Sequence, residues 1–242
     1  MEYNDIKQID CIEGLKELED NSINTIITSP PYNKKGLLGK MKTGNQIWGK
    51  HNIDYETYGD DMNESDYADW MVELLNECHR VLAPDGSFFF NHKPRRFKNQ
   101  CFLPTDFISK SNAILYQLII WNRKSSPNIR KEHLVPCTEH IYWFRKVKPK
   151  VYRDRLDREY IGEVWDITAK KQGDHPAPFP ETLVENCIQM TTDKNDIVLD
   201  PFMGSGTTAK VAFKMDRRFL GFEIDEKYIN ISLDSYDVCG IL

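Results

Sequence analysis

The six cysteines, Cys11, Cys78, Cys101, Cys137, Cys187 and Cys239, stand singly in 242 residues, with no C-x-x-C pair among them. That spacing offers neither a zinc knuckle nor a disulfide framework, so free thiols are expected. No apolar run approaches the ~20 residues of a membrane helix, and Met1 to Asp5 carry neither a basic nor an apolar targeting segment. A cytoplasmic protein that does not enter membranes is expected. Internal repeats and low-complexity segments are missing as well. Positive charge is scarce overall, with 32 Lys and Arg against 37 Asp and Glu for a net charge of -5. This excludes a uniformly basic nucleic-acid binder and leaves the distribution of charge to decide. At 40% hydrophobic and 12% aromatic content the chain can still bury one sizeable core.

Strand and helix patterns alternate along that single domain, residues 1–242. Residues 3–10 read as a strand ending at Asp10, and Cys11, Leu15 and Leu18 share one face of a following helix. Ile23 to Ile27 is an apolar, β-branched run of the kind found in a buried parallel strand. Ser65 is the expected N-cap of a helix reaching Leu82, closed by Pro84-Asp85-Gly86. Strands are expected at 87–91, 115–121, 139–144, 197–200 and 219–222, with helices at 105–111, 181–190 and 208–214. The fold class is therefore α/β, a sheet layered with helices.

Two strand ends carry the chemistry. Thr28-Ser29-Pro30-Pro31-Tyr32-Asn33 follows the Ile23 strand, and its prolines have no N–H and a fixed φ, so the strand stops at a rigid corner. The Ser29 hydroxyl and nearby carbonyls are then held as acceptors beside the flat face of Tyr32, an arrangement suited to a planar group with an exocyclic amine. Read without other information, the same residues make an ordinary strand-to-loop turn. At the second end, Ile197 to Asp200 runs into Pro201-Phe202-Met203-Gly204-Ser205-Gly206-Thr207-Thr208, a Gly-x-Gly turn that opens a helix and lets a ligand approach free N–H groups. It has neither the third glycine of a dinucleotide fingerprint nor a lysine after Gly206, which argues against a P-loop nucleotidase, a further competing class. A tight turn with no ligand is the alternative. Glu223, ending the next strand, stands where acids meet ribose hydroxyls in doubly wound sheets.

Cations are concentrated in three stretches. Residues 34–62 form an expected mobile basic loop containing Lys34, Lys35, Lys40, Lys42 and Lys50. His92-Lys93-Pro94-Arg95-Arg96-Phe97-Lys98 is a second patch. Residues 123–158 hold eleven cations against four acids, a local excess of +7.

Taken together, Ser29-Pro30-Pro31-Tyr32 early and Asp200 to Thr208 late resemble the catalytic and S-adenosylmethionine motifs of amino-group DNA methyltransferases, in the β-class order with catalysis first. The resemblance spans about residues 8–232. It implies a Rossmann-like, mixed seven-stranded sheet with helices on both faces and an antiparallel hairpin containing the last strands. It implies cofactor contacts from Asp10, Cys11, Phe179, Asp200, Phe202, Gly204, Ser205, Gly206, Thr207, Thr208 and Glu223, and catalysis by Ser29, Pro30, Pro31 and Tyr32. The chemistry needs no metal. The target base must leave the duplex, at a cost of about a few kcal/mol.

Serine at position 29, where many adenine enzymes of that family have aspartate, favours N4 of cytosine, with adenine N6 as the alternative. An RNA or small-molecule methyltransferase and a non-catalytic cofactor-binding subunit are the competing classes. Double-stranded DNA would be held by Lys34, Lys35, Lys93, Arg95, Arg96, Arg123, Lys124, Arg130, Arg153 and Arg155, with 123–175 as a candidate recognition insert. Asn128, Arg130, His133 and Tyr152 could read bases. The resemblance admits a homodimer and a cognate restriction endonuclease as partners, and the residues select neither.

Overall fold

A computed structural model describes residues 3–33, 62–97, 100–124, 134–168 and 180–237. Eight strands form the main sheet: β1 (Asp5–Gln8), β2 (Ile23–Thr28), β3 (Leu82–His92), β6 (Ile114–Asn122), β7 (Thr138–Arg145), β8 (Val164–Asp166), β9 (Ile197–Asp200) and β10 (Arg218–Glu223). A separate hairpin joins β4 (Arg95–Phe97) to β5 (Gln100–Phe102). The sheet order is β1-β10-β9-β2-β3-β7-β6-β8, with β7 antiparallel to both neighbours and the other pairings parallel.

Period-two alternation along strands covered on both faces explains their unbroken apolar runs. Ile26, Phe88, Phe90 and Leu199 point to one core, against α1 (Cys11–Lys16), α2 (Glu64–Val81) and the short α3 (Thr105–Ile108). Ile27, Phe89 and Val198, the next residues along, point to the other core. There they meet α4 (Glu181–Thr191) and α5 (Thr207–Lys214). A final helix, α6 (Glu226–Asp237), follows β10. From β2 the chain crosses through α2 to β3 on one side, and from β9 it crosses through α5 to β10 on the other. Adjacent β2 and β9 thus flank a topological switch point, where a crevice opens beyond the carboxyl ends of the strands.

Several expectations are corrected. The sheet has eight strands rather than seven, because the three-residue β8 adds an edge beside β6. The antiparallel strand lies mid-chain at β7, while the last strand, β10, is parallel to β1 and β9. Asn63, not Ser65, caps α2, its Oδ1 accepting from the Asp66 N–H at 3.0 Å. Asp10 lies beyond β1 as the N-cap of α1, where Oδ1 accepts from the Ile12 N–H at 2.8 Å. Residues Pro84 to Gly86 sit inside β3 rather than between elements. There the pairing to β2 slips from Ile23↔Leu82 to Thr25↔Ser87. Gly86 fits that bulge because a Cβ would come within 2.7 Å of the Asn24 carbonyl oxygen.

Candidate active site

Ser29 to Asn33 leave the carboxyl end of β2, where the prolines end the ladder and direct the chain across the crevice. The Pro31 carbonyl accepts from the Tyr67 hydroxyl of α2 at 2.8 Å, and Tyr67 also bonds His92 Nε2 at 2.8 Å. His92, fully buried at the end of β3, lies against the Tyr32 ring with centroids 4.5 Å apart. The corner is thus braced by two neighbouring elements.

Beside it lies a buried polar cluster. Tyr32 Oη donates to Glu139 Oε2 at 3.1 Å, and Ser29 Oγ lies 2.8 Å from Tyr32 Oη. The Asn91 amide donates to Tyr32 Oη at 2.8 Å and to Glu139 Oε2 at 2.9 Å. Arg123 donates to Glu139 Oε1 at 2.7 Å, with Lys93 Nζ 3.7 Å from the same oxygen. Glu139 is only 6% exposed, so these cations offset the cost of keeping its charge out of water. Burial, then the Glu139 charge, pushes the Tyr32 phenol well above its ordinary pKa, which keeps it a donor. Asn91 Oδ1 is buried without a hydrogen-bond partner.

Tyr67, Asn91 and Glu139 are not among the site residues expected from the sequence, and His92 enters only as part of a basic patch. A usable signal was the polar pair Asn91-His92 closing the apolar run Phe88 to Phe90 on a strand beside the corner. Glu139, at the start of an aromatic strand, gave another.

The second strand end meets the first directly. Asp200 Oδ1 accepts from Thr28 Oγ1 at 2.7 Å and from the Phe202 N–H at 3.0 Å, and Oδ2 accepts from Thr208 Oγ1 at 2.7 Å. Burial pushes its carboxyl up to about 6 against these bonds. Gly204 and Gly206 adopt positive φ, 52° and 82°, and Gly206 stands at the N-cap of α5. Phe202 packs edge-on to Trp70 of α2, with ring centroids 5.8 Å apart. Glu223 reaches back across the turn. Its Oε2 accepts from the Gly204 N–H and its Oε1 from the Ile224 and Asp225 N–H groups, all at 2.9 Å, while burial raises its pKa. Asp10 and Cys11 join this end of the sheet, since the Ile9 N–H donates to the Glu223 carbonyl at 3.1 Å. Ser205 and Thr207 are half-buried in the same turn. A glycine-lined backbone cradle thus lies between two buried acids, Asp200 and Glu223.

The expected DNA contacts divide. Lys93, Arg96, Arg123 and Lys124 lie at or beyond the carboxyl ends of β3 and β6, on the crevice edge. Arg95 instead turns inward, 5% exposed, and pairs with both oxygens of Glu64 at 2.7 and 2.8 Å. Arg153 and Arg155 lie away from the crevice. Tyr152 bonds the Met190 carbonyl, and Arg155 bonds Asp193 and the Thr192 carbonyl, at the end of α4 that leads into the start of β9. That places them on the opposite edge of the sheet. Lys34, Lys35, Arg130, Phe179, Asn128 and His133, the 34–62 loop up to residue 61, and residues 125–133 and 169–175 of the 123–175 insert lie outside the described residues.

The DNA methylase family model matches residues 23–234. The Type II methyltransferase M.BglII of Bacillus subtilis is 30% identical, over 95% of this chain and 68% of its own length. The DNA adenine methyltransferase YhdJ of Escherichia coli is 28% identical, over 96% of this chain and 82% of its own. Among solved structures, the cytosine-N4-specific PvuII DNA methyltransferase superposes with a TM-score of 0.76 at 24% identity, covering 94% of this chain and 84% of its own. A putative DNA modification methylase of Thermus thermophilus, complexed with S-adenosyl-L-methionine, superposes with a TM-score of 0.69 at 25% identity. It covers 96% of this chain and 92% of its own. S-adenosylmethionine is the cofactor of this family. The chain belongs to the N6/N4 family of S-adenosylmethionine-dependent DNA methyltransferases.

Proposed function

We propose that the enzyme methylates N4 of a cytosine turned out of duplex DNA. The observation that carries this reading is a neutral hydroxyl, Ser29, at the head of the Pro-Pro-Tyr corner, with the Pro30 carbonyl next to it. An exocyclic amine is a poor nucleophile because its lone pair is delocalised into the ring. Accepting one N–H at Ser29 Oγ and the other at the Pro30 carbonyl favours pyramidal nitrogen and returns that pair to it. Tyr32, braced by His92, offers a ring for the base to stack on. The cradle spanning Asp10, Cys11, Asp200, Phe202, Gly204 to Thr208 and Glu223 would hold S-adenosylmethionine, which supplies a sulfonium-activated methyl group. Thr28 and Asp200 fix the distance between the two halves, so positioning carries much of the rate.

Phosphates would be met on the crevice edge by Lys93, Arg96, Arg123 and Lys124. Adenine N6 is the second reading, favoured by the 28% identity to a DNA adenine methyltransferase. Purified enzyme incubated with duplex DNA or RNA and labelled cofactor, followed by digestion to nucleosides and mass spectrometry, separates these possibilities. N4-methylcytosine from the duplex is expected, and N6-methyladenine without it would reject the preferred base.

A further inference from the structure

We propose that Glu139 is a positioning residue that makes the Ser29 hydroxyl a pure acceptor for the target amine and takes up the proton that the methylated amine releases, acting through Tyr32. The inference rests on the amine-methylation reading.

The argument begins with hydrogen-bond valence. Tyr32 has one hydroxyl proton, and Glu139 Oε2, 3.1 Å away, can only accept it. The 2.8 Å contact between Ser29 Oγ and Tyr32 Oη must therefore be donated by Ser29. Asn91 supplies the remaining donors, to Tyr32 Oη and to Glu139 Oε2, and its Nδ2 lies 3.5 Å from Ser29 Oγ. Turning the Asn91 amide over would set its oxygen against the carboxylate, so the orientation is determined. The hydroxyl protons of the chain run Ser29 to Tyr32 to Glu139. Ser29 Oγ, approached by the Asn91 amide only at 3.5 Å, keeps a lone pair for substrate N–H, and a buried negative charge stands two hydrogen bonds behind it. A serine corner thereby gains a carboxylate that its own side chain does not provide. Arg123 and Lys93 hold that carboxylate from the other side, and it comes from β7, 107 positions along the chain from Tyr32.

The proton step balances along the same chain. The amine lone pair forms the new N–C bond while the donor's S–C pair withdraws to sulfur, which becomes a neutral thioether. The nitrogen, now positive, passes an N–H proton to Ser29 Oγ as Ser29 passes its own to Tyr32 and Tyr32 passes its own to Glu139 Oε2. The products are a neutral methylated amine and a protonated Glu139, which returns its proton to solvent.

The test compares single-turnover methyl transfer to duplex DNA, at saturating cofactor, for wild type, Glu139→Gln, Glu139→Asp, Tyr32→Phe and the double variant Tyr32→Phe/Glu139→Gln, with S-adenosylmethionine affinity measured by calorimetry for each. Glu139→Gln and Tyr32→Phe should each slow transfer by about 10²-fold with cofactor affinity unchanged. The double variant should be no slower than the slower single variant, because both cut one chain. Glu139→Asp should recover part of the loss. Wild-type rates in Glu139→Gln or Tyr32→Phe, or losses that multiply in the double variant, would overturn the proposal. Should Glu139→Gln lose cofactor binding, Tyr32→Phe, which retains the ring and the Arg123 pair, decides by the same rate criterion. Failure of the wild-type enzyme to methylate any amine refutes the underlying reading instead.

Discussion

Thr28 Oγ1 donates to Asp200 Oδ1 at 2.7 Å, so the last residue of β2 is bonded to the last residue of β9. Replacing Thr28 by valine preserves shape and removes the donor, leaving a buried carboxylate short of one partner. A loss of about 1–3 kcal/mol is expected, read as a lower urea midpoint with an unchanged slope. A midpoint equal to wild type would contradict the coupling.

Asp200 also predicts a pH signature. Its carboxyl is held at about 6 in the folded chain, against an ordinary value of 3.8. Between those values the folded protein keeps a proton that the unfolded chain has released. The resulting stability is complete below the unfolded value and is lost as pH rises through about 6. Relative to Asp200→Asn, wild type should gain up to about 3 kcal/mol on moving from pH 7 to pH 4. Denaturant titrations of both proteins at several pH values measure this, and a constant difference would be the contrary result.

Gly206, at φ 82°, holds a left-handed conformation in which a Cβ crowds the backbone. Gly206→Ala should cost about 1–2 kcal/mol in thermal or urea unfolding and weaken cofactor binding in calorimetry. Wild-type values of both would contradict the proposed role of the turn.

Charge on the two edges of the sheet should behave differently. Arg96→Ala and Lys124→Ala, on the crevice edge, should weaken duplex binding across sequences and lower the salt slope by about one per residue. Arg153→Ala, on the opposite edge, should leave both unchanged. Fluorescence anisotropy at several salt concentrations distinguishes the two sets, and equal effects would remove the edge assignment.

Much of this architecture was legible because strand-buried runs such as Ile23 to Ile27 and punctuators such as Pro30-Pro31 and Gly204-Ser205-Gly206 act locally. The eighth strand was not, since Val164 to Asp166 is too short to show a period and exists only as an added edge. The cap of α2 is ambiguous in the sequence because Ser65 and Asn63 are both competent caps, and the Asp66 N–H selects Asn63. Charge was legible as an amount but not as a place. The +7 excess over 123–158 is one run in the chain, yet antiparallel β7 carries it from the crevice edge at Arg123 to the far edge at Arg145 and beyond. Glu139 is silent in the sequence for a related reason, since its partners Tyr32 and Asn91 are brought to it only by the fold.

The central claim is that Ser29 holds a cytosine amine for methylation, and genomic DNA tests it most directly. DNA from methylation-deficient cells expressing wild-type protein or Ser29→Ala, digested and quantified by mass spectrometry, should contain N4-methylcytosine with the wild type and none with the variant. N6-methyladenine alone with the wild type, or equal N4-methylcytosine from both proteins, would contradict it.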